Sequence, residues 1–326
     1  MTALMVASRR KQLAAVVKLL ASSNASTLNA QSAEGCTALY LAAEEGAEPI
    51  VQQLLAQGAD AALTDSNGGT PLMRASRFGH ERCLLVLLEA KADPNKATSD
   101  GLTALTFAAQ NGHEQVALVL LKAGAAVDQT EENGCTALMF AAQDGHEQVA
   151  LVLLEAKADS NKAQPDGLTA LMLAAQNGHE QVAHVLLKAG AAVDQTEENG
   201  CTALMFAALD GLEQVALVLL EAGASLKVVS IDNFTMLMAA SLGGLATVLE
   251  CVLPQSDIDA AVVASHATQA GYTALMYAAE AGQQHCVHML LSAGARKEVQ
   301  TATGKTALSL ARDSGHTVIC DLLGTL

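Results

Sequence analysis

The chain has 326 residues, of which 51% are apolar and only 2% are aromatic. It carries 34 acidic residues against 18 Lys and Arg, which gives a formal net charge of −16. This charge repels phosphate groups, which argues against nucleic acid or an anionic membrane as the main partner and leaves a neutral to basic protein. Because aromatic residues are so few, the interior must be built from Ala, Leu, Val and Met, and this favours thin, close-packed helices.

Neither a membrane span nor a disulfide framework is indicated. Charged or helix-ending residues interrupt every apolar run before the roughly 18 residues that cross a bilayer. The seven cysteines are spread singly without a CxxC pair, which indicates a reducing compartment: the cytoplasm, with the nucleus as the alternative. The first 33 residues lack acids and carry four basic residues, as a mitochondrial transit segment does. The same stretch follows the register of the repeats described next, which favours a structural role.

From the N-terminus onward, a threonine followed by a small residue or proline and then leucine recurs along the chain, with one variant in which methionine precedes the leucine. We call these residues the cap threonines and number the repeats 1 to 10 after them: Thr2, Thr37, Thr70, Thr103, Thr136, Thr169, Thr202, Thr235, Thr273 and Thr306. The intervals are 35, then 33 six times, then 38 and 33 residues. They predict one array over residues 1–326, with an irregular loop near 254–269 and no separate catalytic domain.

Repeat 4 shows the predicted elements in order. The hydroxyl of Thr103 can accept a hydrogen bond from an unpaired backbone N–H, so a short first helix is expected to begin there and to end at Gly112. Apolar residues at helical spacing predict a second helix that ends at Gly124. The pair Asn133-Gly134 then predicts a tight hairpin turn before the next repeat.

The resulting pattern, G-x-T-A/P-L-x-x-A-A-x-x-G-H…V-x-x-L-L…G-A, resembles the ankyrin repeat over about residues 1–323. The resemblance implies an all-α solenoid of stacked antiparallel helix pairs with projecting hairpin loops, in which each repeat is buried only against its neighbours. It also implies a non-catalytic scaffold without a cofactor. Such a scaffold binds another protein or peptide segment through its hairpin tips and the first helices of its concave face.

The chain departs from the family's pattern at two kinds of position. Lys91 and Lys157 replace the glycine that ends the second helix, where a left-handed backbone would cost about 1 kcal/mol. Where the family has histidine three residues after the cap threonine, seven repeats have methionine. We expect these side chains to fill the core rather than to bind a metal: Met5, Met73, Met139, Met172, Met205, Met238 and Met276.

Histidines and cysteines recur in register with the repeats. The histidines after the first helices are interpreted as hydrogen-bonded turn residues, too far apart to share a metal: His80, His113, His146, His179 and His316. Four cysteines are expected at or beside core positions of the second helices: Cys83, Cys251, Cys286 and Cys320. The three before the cap threonines are expected at the hairpin tips, as the more exposed thiols: Cys36, Cys135 and Cys201.

Neither a metal site nor a catalytic site is predicted. His285, Cys286 and His288 are the densest cluster of metal-capable side chains, but Cys286 points away from the histidines and no fourth ligand is in register. The acid pairs at Glu131 and Glu197 are interpreted as solvated loop charges rather than as a pair of catalytic carboxylates.

Two surfaces are candidates for binding. The first joins the residues at the ends of the first helices to apolar residues before the cap threonines, and suits an extended peptide or a helix: Glu44, Glu45, Arg77, Phe78, Leu102, Gln110, Asn111, Gln143, Asp144, Leu168, Gln176, Asn177, Leu209, Asp210, Phe234 and Tyr272. The second is a row of leucines on the second helices, where the family has charged residues. If exposed, it would form a convex ridge; the alternative is that a rotated helix buries it: Leu85, Leu118, Leu151 and Leu217.

The favoured function is therefore a non-catalytic protein-interaction scaffold that uses the first surface. One alternative is self-association through the leucine ridge. A further hypothesis follows from the start of the chain, almost at the first cap threonine. The chain would then be the repeat part of a larger multidomain protein whose other domains carry the activity.

Overall fold

The computed structural model of the chain describes residues 1–21, 25–253 and 266–324. These residues form helices and connecting turns, and apart from isolated bridges between residue pairs the described part contains no β-strand. The predicted all-α class is thereby confirmed. The chain divides into two compact units, Met1–Pro165 and Asp166–Leu326. Repeats 1 to 5 lie in the first unit and repeats 6 to 10 in the second.

Each cap threonine begins a short first helix, as predicted. Its Oγ1 accepts a hydrogen bond from the backbone N–H three residues further on, at 3.1–3.4 Å. This bond satisfies one of the N–H groups that have no partner within the helix. The first helices are Ala3–Arg9, Ala38–Glu44, Pro71–Arg77, Ala104–Gln110, Ala137–Gln143, Ala170–Gln176, Ala203–Leu209, Met236–Gly243, Ala274–Glu280 and Ala307–Asp313.

A short turn reverses the chain into the second helix of each repeat, which packs against the first. Most second helices begin with glutamate, whose carboxylate suits the positive end of the helix dipole. The second helices are Leu13–Leu20, Glu48–Ala56, Glu81–Glu89, Glu114–Lys122, Glu147–Glu155, Glu180–Lys188, Glu213–Glu221, Ala246–Val252, Gln284–Ser292 and Thr317–Gly324. An additional short helix, Ala25–Leu28, follows repeat 1.

The core of each unit lies between neighbouring helix pairs. First helices pack against the first helices of adjacent repeats, and second helices against second helices. In repeat 4, Leu105, two residues after the cap threonine, and the paired Ala108 and Ala109 are buried. Five other repeats share this pattern, and three more have a buried serine in place of the second alanine. Because alanine is small, the first helices can approach closely. The seven methionines that lie three residues after a cap threonine are all buried, which confirms their predicted place in the core.

Helix ends adopt the left-handed conformation where the sequence predicts it. Gly112 and Gly124, which end the two helices of repeat 4, have φ of 73° and 90°. Lys91 and Lys157 stand in the second of these positions with φ of 66° and 70°. Both lysines therefore carry the backbone strain that the sequence predicts, since a Cβ disfavours this region.

The hairpins before the cap threonines are closed by backbone contacts, including single antiparallel bridges that pair Ala97 with Thr103 and Val229 with Thr235. Of the irregular loop predicted near 254–269, residues 254–265 lie outside the described residues. Within the described ranges, the helices are too short to traverse a bilayer.

Exchanging lysine and glycine at one helix end should change stability in opposite directions. Lys157→Gly relieves strain of about 1 to 2 kcal/mol but frees the unfolded chain by about 0.4 to 1 kcal/mol, so we expect a net gain of about 0.5 to 1 kcal/mol. The reciprocal change, Gly124→Lys, should lower stability by a similar amount, since it places a Cβ on a left-handed backbone. No steric clash adds to this cost, because no atom lies within 4 Å of a Cβ added at Gly124. Urea unfolding measures both, and changes of the same sign would contradict the prediction.

Candidate functional site

In eight repeats the hairpin tip is shaped by one polar side chain that lies five residues before the cap threonine. In repeat 3, Asp65 Oδ1 accepts hydrogen bonds from the backbone N–H groups of Asn67 at 2.9 Å and Gly69 at 2.7 Å. Glu131 and Glu197 accept the same pair of bonds in repeats 5 and 7, all at 2.9 Å. In five other repeats a hydroxyl oxygen accepts from the N–H four residues on, at 3.0–3.2 Å: Ser32, Thr98, Ser230, Thr268 and Thr301.

The interpretation of the pairs Glu131-Glu132 and Glu197-Glu198 as solvated loop charges holds for the exposed Glu132 and Glu198 but is wrong for Glu131 and Glu197. They are 9% and 8% exposed, because their carboxylates turn inward to the loop N–H groups. Burial raises the pKa of Glu197, but hydrogen bonds from Asn199 and Cys201 outweigh it and bring the pKa below its ordinary value. These carboxylates therefore hold the tips in shape.

Consecutive tips are joined by backbone hydrogen bonds of 2.7–3.1 Å. In each, the N–H of one tip donates to the carbonyl of the tip before it. In the first unit the pairs are Ser66 to Glu34, Ser99 to Asn67 and Glu132 to Asp100. In the second unit they are Glu198 to Asp166, Ile231 to Asn199, Gln269 to Asp232 and Ala302 to Ala270. Within each unit, the spacing of the tips is fixed by this ladder.

The histidines after the first helices also connect repeats. Nε2 of His80 donates to the carbonyl oxygen of Glu44 in the preceding repeat, at 2.9 Å. His113, His146 and His316 make the same bond at 3.0 Å, which confirms their role as turn residues. His179 is half-buried at the equivalent position of repeat 6.

The first predicted surface is formed by these tips and the first helices, and we call it the first-helix face. Among its predicted residues, most helix-end side chains are exposed: Arg77, Phe78, Gln110, Asn111, Gln143, Asp144, Gln176, Asn177 and Asp210. The remaining helix-end residues and the tip residues are half-buried: Glu44, Glu45, Leu209, Leu102, Leu168, Phe234 and Tyr272. Their use in binding stays a prediction.

Sequence reasoning missed five aromatic residues of the first-helix face. Four of them stand four residues after a cap threonine and are half-buried: Phe107, Phe140, Phe206 and Tyr277. The fifth, Tyr40, is buried one position earlier in repeat 2. With Phe78, Phe234 and Tyr272, this face holds all eight aromatic residues of the chain. The signal was present in the sequence, since a residue type that makes up 2% of the chain recurs at one repeat position.

Tyr40, Asp65 and Arg74 form a hydrogen-bonded network between repeats 2 and 3. The Tyr40 hydroxyl donates to Asp65 Oδ2 at 2.5 Å and accepts from Arg74 Nε, and Arg74 Nη2 donates to the same carboxylate oxygen at 3.1 Å. Burial raises the pKa of Asp65, but the bonds from Tyr40, Gly69 and Arg74 outweigh it and lower the pKa overall. Burial and the neighbouring carboxylate raise the pKa of Tyr40. The network is thus a charged, structural contact.

The first-helix face contains two cavities with similar walls. The repeat 3–4 cavity, of about 190 Å³, is lined by Asp65, Asn67, Gly69, Met73, Arg74, Arg77, Thr98, Asp100, Leu102 and Phe107. The repeat 8–9 cavity, of about 390 Å³, is lined by Asn199, Cys201, Ser230, Asp232, Phe234, Thr268, Gln269, Ala270 and Tyr277. Each is therefore bounded by hairpin tips and by an aromatic ring of a first helix.

The cysteines correspond only in part to their predicted places. Cys83 and Cys286 are buried, but Cys251 is exposed and Cys320 half-buried, so the core position predicted for Cys251 is wrong: its side chain lies on the outer side of its helix. Cys36, Cys135 and Cys201 at the tips are half-buried rather than the most exposed thiols. Burial raises the pKa of Cys83 to about 11, and burial with the Glu197 carboxylate raises that of Cys201 to about 11. Neither thiol is therefore an activated nucleophile at neutral pH.

The predicted metal-capable cluster is divided between core and surface. Cys286 points into the core, whereas His285 and His288 are exposed on the same helix. Among the residues that the structure describes, no three His, Cys, Asp or Glu side chains are grouped as metal ligands.

The leucine row on the second helices is only partly exposed. Leu85 is 40% exposed, whereas Leu118, Leu151 and Leu217 are half-buried. The row therefore matches neither a fully exposed ridge nor a buried one, because second helices of adjacent repeats pack side by side and partly cover it.

Comparison with known proteins gives one family. The family model described as ankyrin repeats (3 copies) matches the chain over residues 4–98, 90–164, 157–230 and 236–325. No curated protein matches the chain.

The Asp65 network should stabilise the fold in a pH-dependent way. Asp65→Asn removes charge-assisted hydrogen bonds and leaves Arg74 without its carboxylate, so we expect a loss of about 1.5 to 3 kcal/mol at neutral pH. Because folding lowers the pKa of Asp65, its contribution is present above the unfolded pKa of about 3.9 and is lost as the pH falls through the folded value. Urea unfolding should therefore show the two proteins converging below about pH 4.

Asp100→Asn is the matched control, since Asp100 borders the same cavity but is exposed. It should change stability by no more than about 0.5 kcal/mol. A difference between wild type and Asp65→Asn that stays constant down to low pH would contradict the role given to the Asp65 charge.

Proposed function

This chain belongs to the ankyrin-repeat family, and from this premise we propose that it is a non-catalytic scaffold that binds a segment of another protein on its first-helix face. Ankyrin repeats in general mediate binding to other proteins, and the family is typically non-catalytic. We further propose that the ten repeats act as one array, and that the partner is neutral to basic. The tips and first helices would present one continuous row of contacts within each unit.

The distribution of aromatic residues carries this proposal. All eight aromatic side chains lie on the first-helix face, and the second helices contain none. Aromatic side chains are prominent in the energetics of protein interfaces, because they bury much area and have only two rotatable side-chain bonds to order. Residues used only to fill the core would be expected on both kinds of helix, since the second helices also bury side chains of their own, such as Val116 and Leu120.

In the proposed mechanism, the hairpin tips and first helices hold their contact residues in place before the partner binds. Asp65, Glu131 and Glu197 hold the tips through loop N–H groups, and the backbone ladder fixes the spacing of each tip from the next. A partner that docks here orders little additional backbone, so more of the contact energy appears as affinity. The net charge of −16 supports a basic partner, whose association would slow as salt rises.

The seven cysteines, which form no disulfide bond with one another in the described residues, support a reducing compartment.

Lysines placed on the first-helix face should disrupt binding. A basic peptide selected on the wild-type protein from a random displayed library would lose at least about tenfold in affinity, or about 1.4 kcal/mol, in the triple variant Gln110→Lys, Gln143→Lys, Gln176→Lys. The added charges repel the peptide at the exposed ends of three first helices. Fluorescence anisotropy of the labelled peptide measures the affinity.

A charge-matched control uses glutamines of the second helices in the same repeats: Gln115→Lys, Gln148→Lys, Gln181→Lys, all at exposed positions. The control should retain the wild-type affinity within about twofold. If both triple variants weaken binding equally, the effect is one of net charge and the first-helix face is not the site.

A second candidate function, self-association of the first unit through its second helices, is favoured by one observation: Leu85 is 40% exposed beside the half-buried Leu118 and Leu151. In this case the wild type sediments as a dimer, and Leu85→Glu converts it to a monomer. The control Gln115→Glu, at an exposed position of a neighbouring second helix, leaves the dimer intact. A wild type that sediments as a monomer removes this function.

A further inference from the structure

The two cavities of the first-helix face occupy equivalent places in the repeat. Asp65 and Asn67 stand five and three residues before the cap threonine of repeat 3, as Ser230 and Asp232 do in repeat 8. On the opposite wall, the aromatic ring belongs to the next repeat and lies four residues after its cap threonine. The cavities differ in what fills the space between tip and ring, and in extent, since the repeat 8–9 cavity also reaches Asn199 and Cys201 at the tip of repeat 7.

The chain fills the repeat 3–4 cavity with its own guanidinium groups. Arg74 and Arg77, four and seven residues after the cap threonine of repeat 3, both line it. The guanidinium carbon of Arg77 lies 5.8 Å from the centroid of the Phe107 ring, and that of Arg74 lies 5.0 Å from the Tyr40 ring. Both distances are within the range of a cation–π interaction.

In repeat 8 the same two positions hold Ala239 and Leu242. The repeat 8–9 cavity measures about 390 Å³, against about 190 Å³ where the arginines are present, and part of its extent lies along the tip of repeat 7. Its ring, Tyr277, corresponds to Phe107 but has no arginine in the preceding repeat. The repeat 8–9 cavity thus has the ring of Tyr277 in its wall, but no arginine of the chain lies over it as Arg77 lies over Phe107.

The walls of the repeat 8–9 cavity suit a cation. Phe234 packs edge-on against Tyr277 with ring centroids 5.4 Å apart, and the ring of Tyr272 lies 5.2 Å from that of Tyr277. Asp232 supplies a carboxylate at the cavity, and none of the described residues that line it is basic.

Two further charged groups lie near these rings. The Glu280 carboxylate acts electrostatically on Tyr277. Lys305, which lies within electrostatic range of Tyr272 and Glu280, is paired with Asp313 at 3.0 Å. The charges around the rings therefore favour an added cation.

We propose that the repeat 8–9 cavity binds the guanidinium group of an arginine side chain carried by the partner, against Tyr277 and beside Asp232. The proposal rests on the proposed function, because it names the side chain that a segment on the first-helix face inserts here. A planar guanidinium stacks on an aromatic ring and donates to a carboxylate at the same time, as Arg74 does with Tyr40 and Asp65 in this chain.

The test uses a small probe and no partner. The protein is labelled with 3-fluorotyrosine, and the fluorine resonances of its three tyrosines are followed during titration with Nα-acetyl-arginine methylamide. We expect the resonances of Tyr272 and Tyr277 to shift and saturate, while that of Tyr40 stays in place. The citrulline analogue, which has the same shape without the charge, should bind at least about tenfold more weakly.

One substitution should close the site by copying repeat 3. Leu242→Arg places an arginine at the position of Arg77, and we expect it to abolish the arginine-induced shifts. Gln214→Arg is the control, because it adds the same charge at an exposed position of a second helix, outside the residues that line the cavity. The control should bind arginine within about threefold of the wild type, and urea unfolding verifies that both variants fold.

Three results would overturn the proposal: equal binding of arginine and citrulline, binding of the lysine analogue as tight as that of arginine, or unchanged binding in Leu242→Arg. The outcome is separable from that of the proposed function. If arginine binds but no peptide binds the first-helix face, the scaffold function fails and the cavity assignment stands. If peptides bind that face and arginine does not bind the cavity, the reverse holds.

Discussion

Close packing of first helices through small side chains is the constraint on which the rest of the structure depends. Paired alanines such as Ala108 and Ala109 are fully buried between neighbouring repeats, and the leucine after each cap threonine fills the remaining space. A larger residue at the alanine positions would separate the helices and break the tip ladder and the histidine bridges, which all reach into an adjacent repeat. The nearest-neighbour character of such an array follows from these contacts.

Because packing uses a fixed subset of positions, the remaining positions of each repeat are free to vary. The fourth residue after the cap threonine is arginine in repeat 3, phenylalanine in repeat 4, alanine in repeat 8 and tyrosine in repeat 9, on an unchanged backbone pattern. One arrangement therefore produces cavities of different size and charge. In the proposed function these variable positions contact the partner, while the leucines, alanines and cap threonines set the geometry of the face.

The hairpin tips show how an acidic protein uses some of its charge internally. The carboxylates of Asp65, Glu131 and Glu197 are buried and accept hydrogen bonds from loop N–H groups. Asp65 also accepts hydrogen bonds from Arg74 and Tyr40. A buried carboxylate is tolerated where several donors converge on it. These groups shape the first-helix face from within, whereas exposed acids such as Asp144 and Asp210 contribute to its surface charge.

The repeat length, the cap threonines, the glycine ends and the strained Lys91 and Lys157 could be predicted from the sequence, because each is set by residues close along the chain. The turn histidines and the core methionines could be placed in the same way. The burial of Glu131 and Glu197, the exposure of Cys251 and the cover of Phe107 by Arg77 became known from the structure. Residue spacing does not specify whether a loop carboxylate turns to nearby N–H groups or to solvent, how far neighbouring helices cover a side chain, or which side chains one repeat apart make contact.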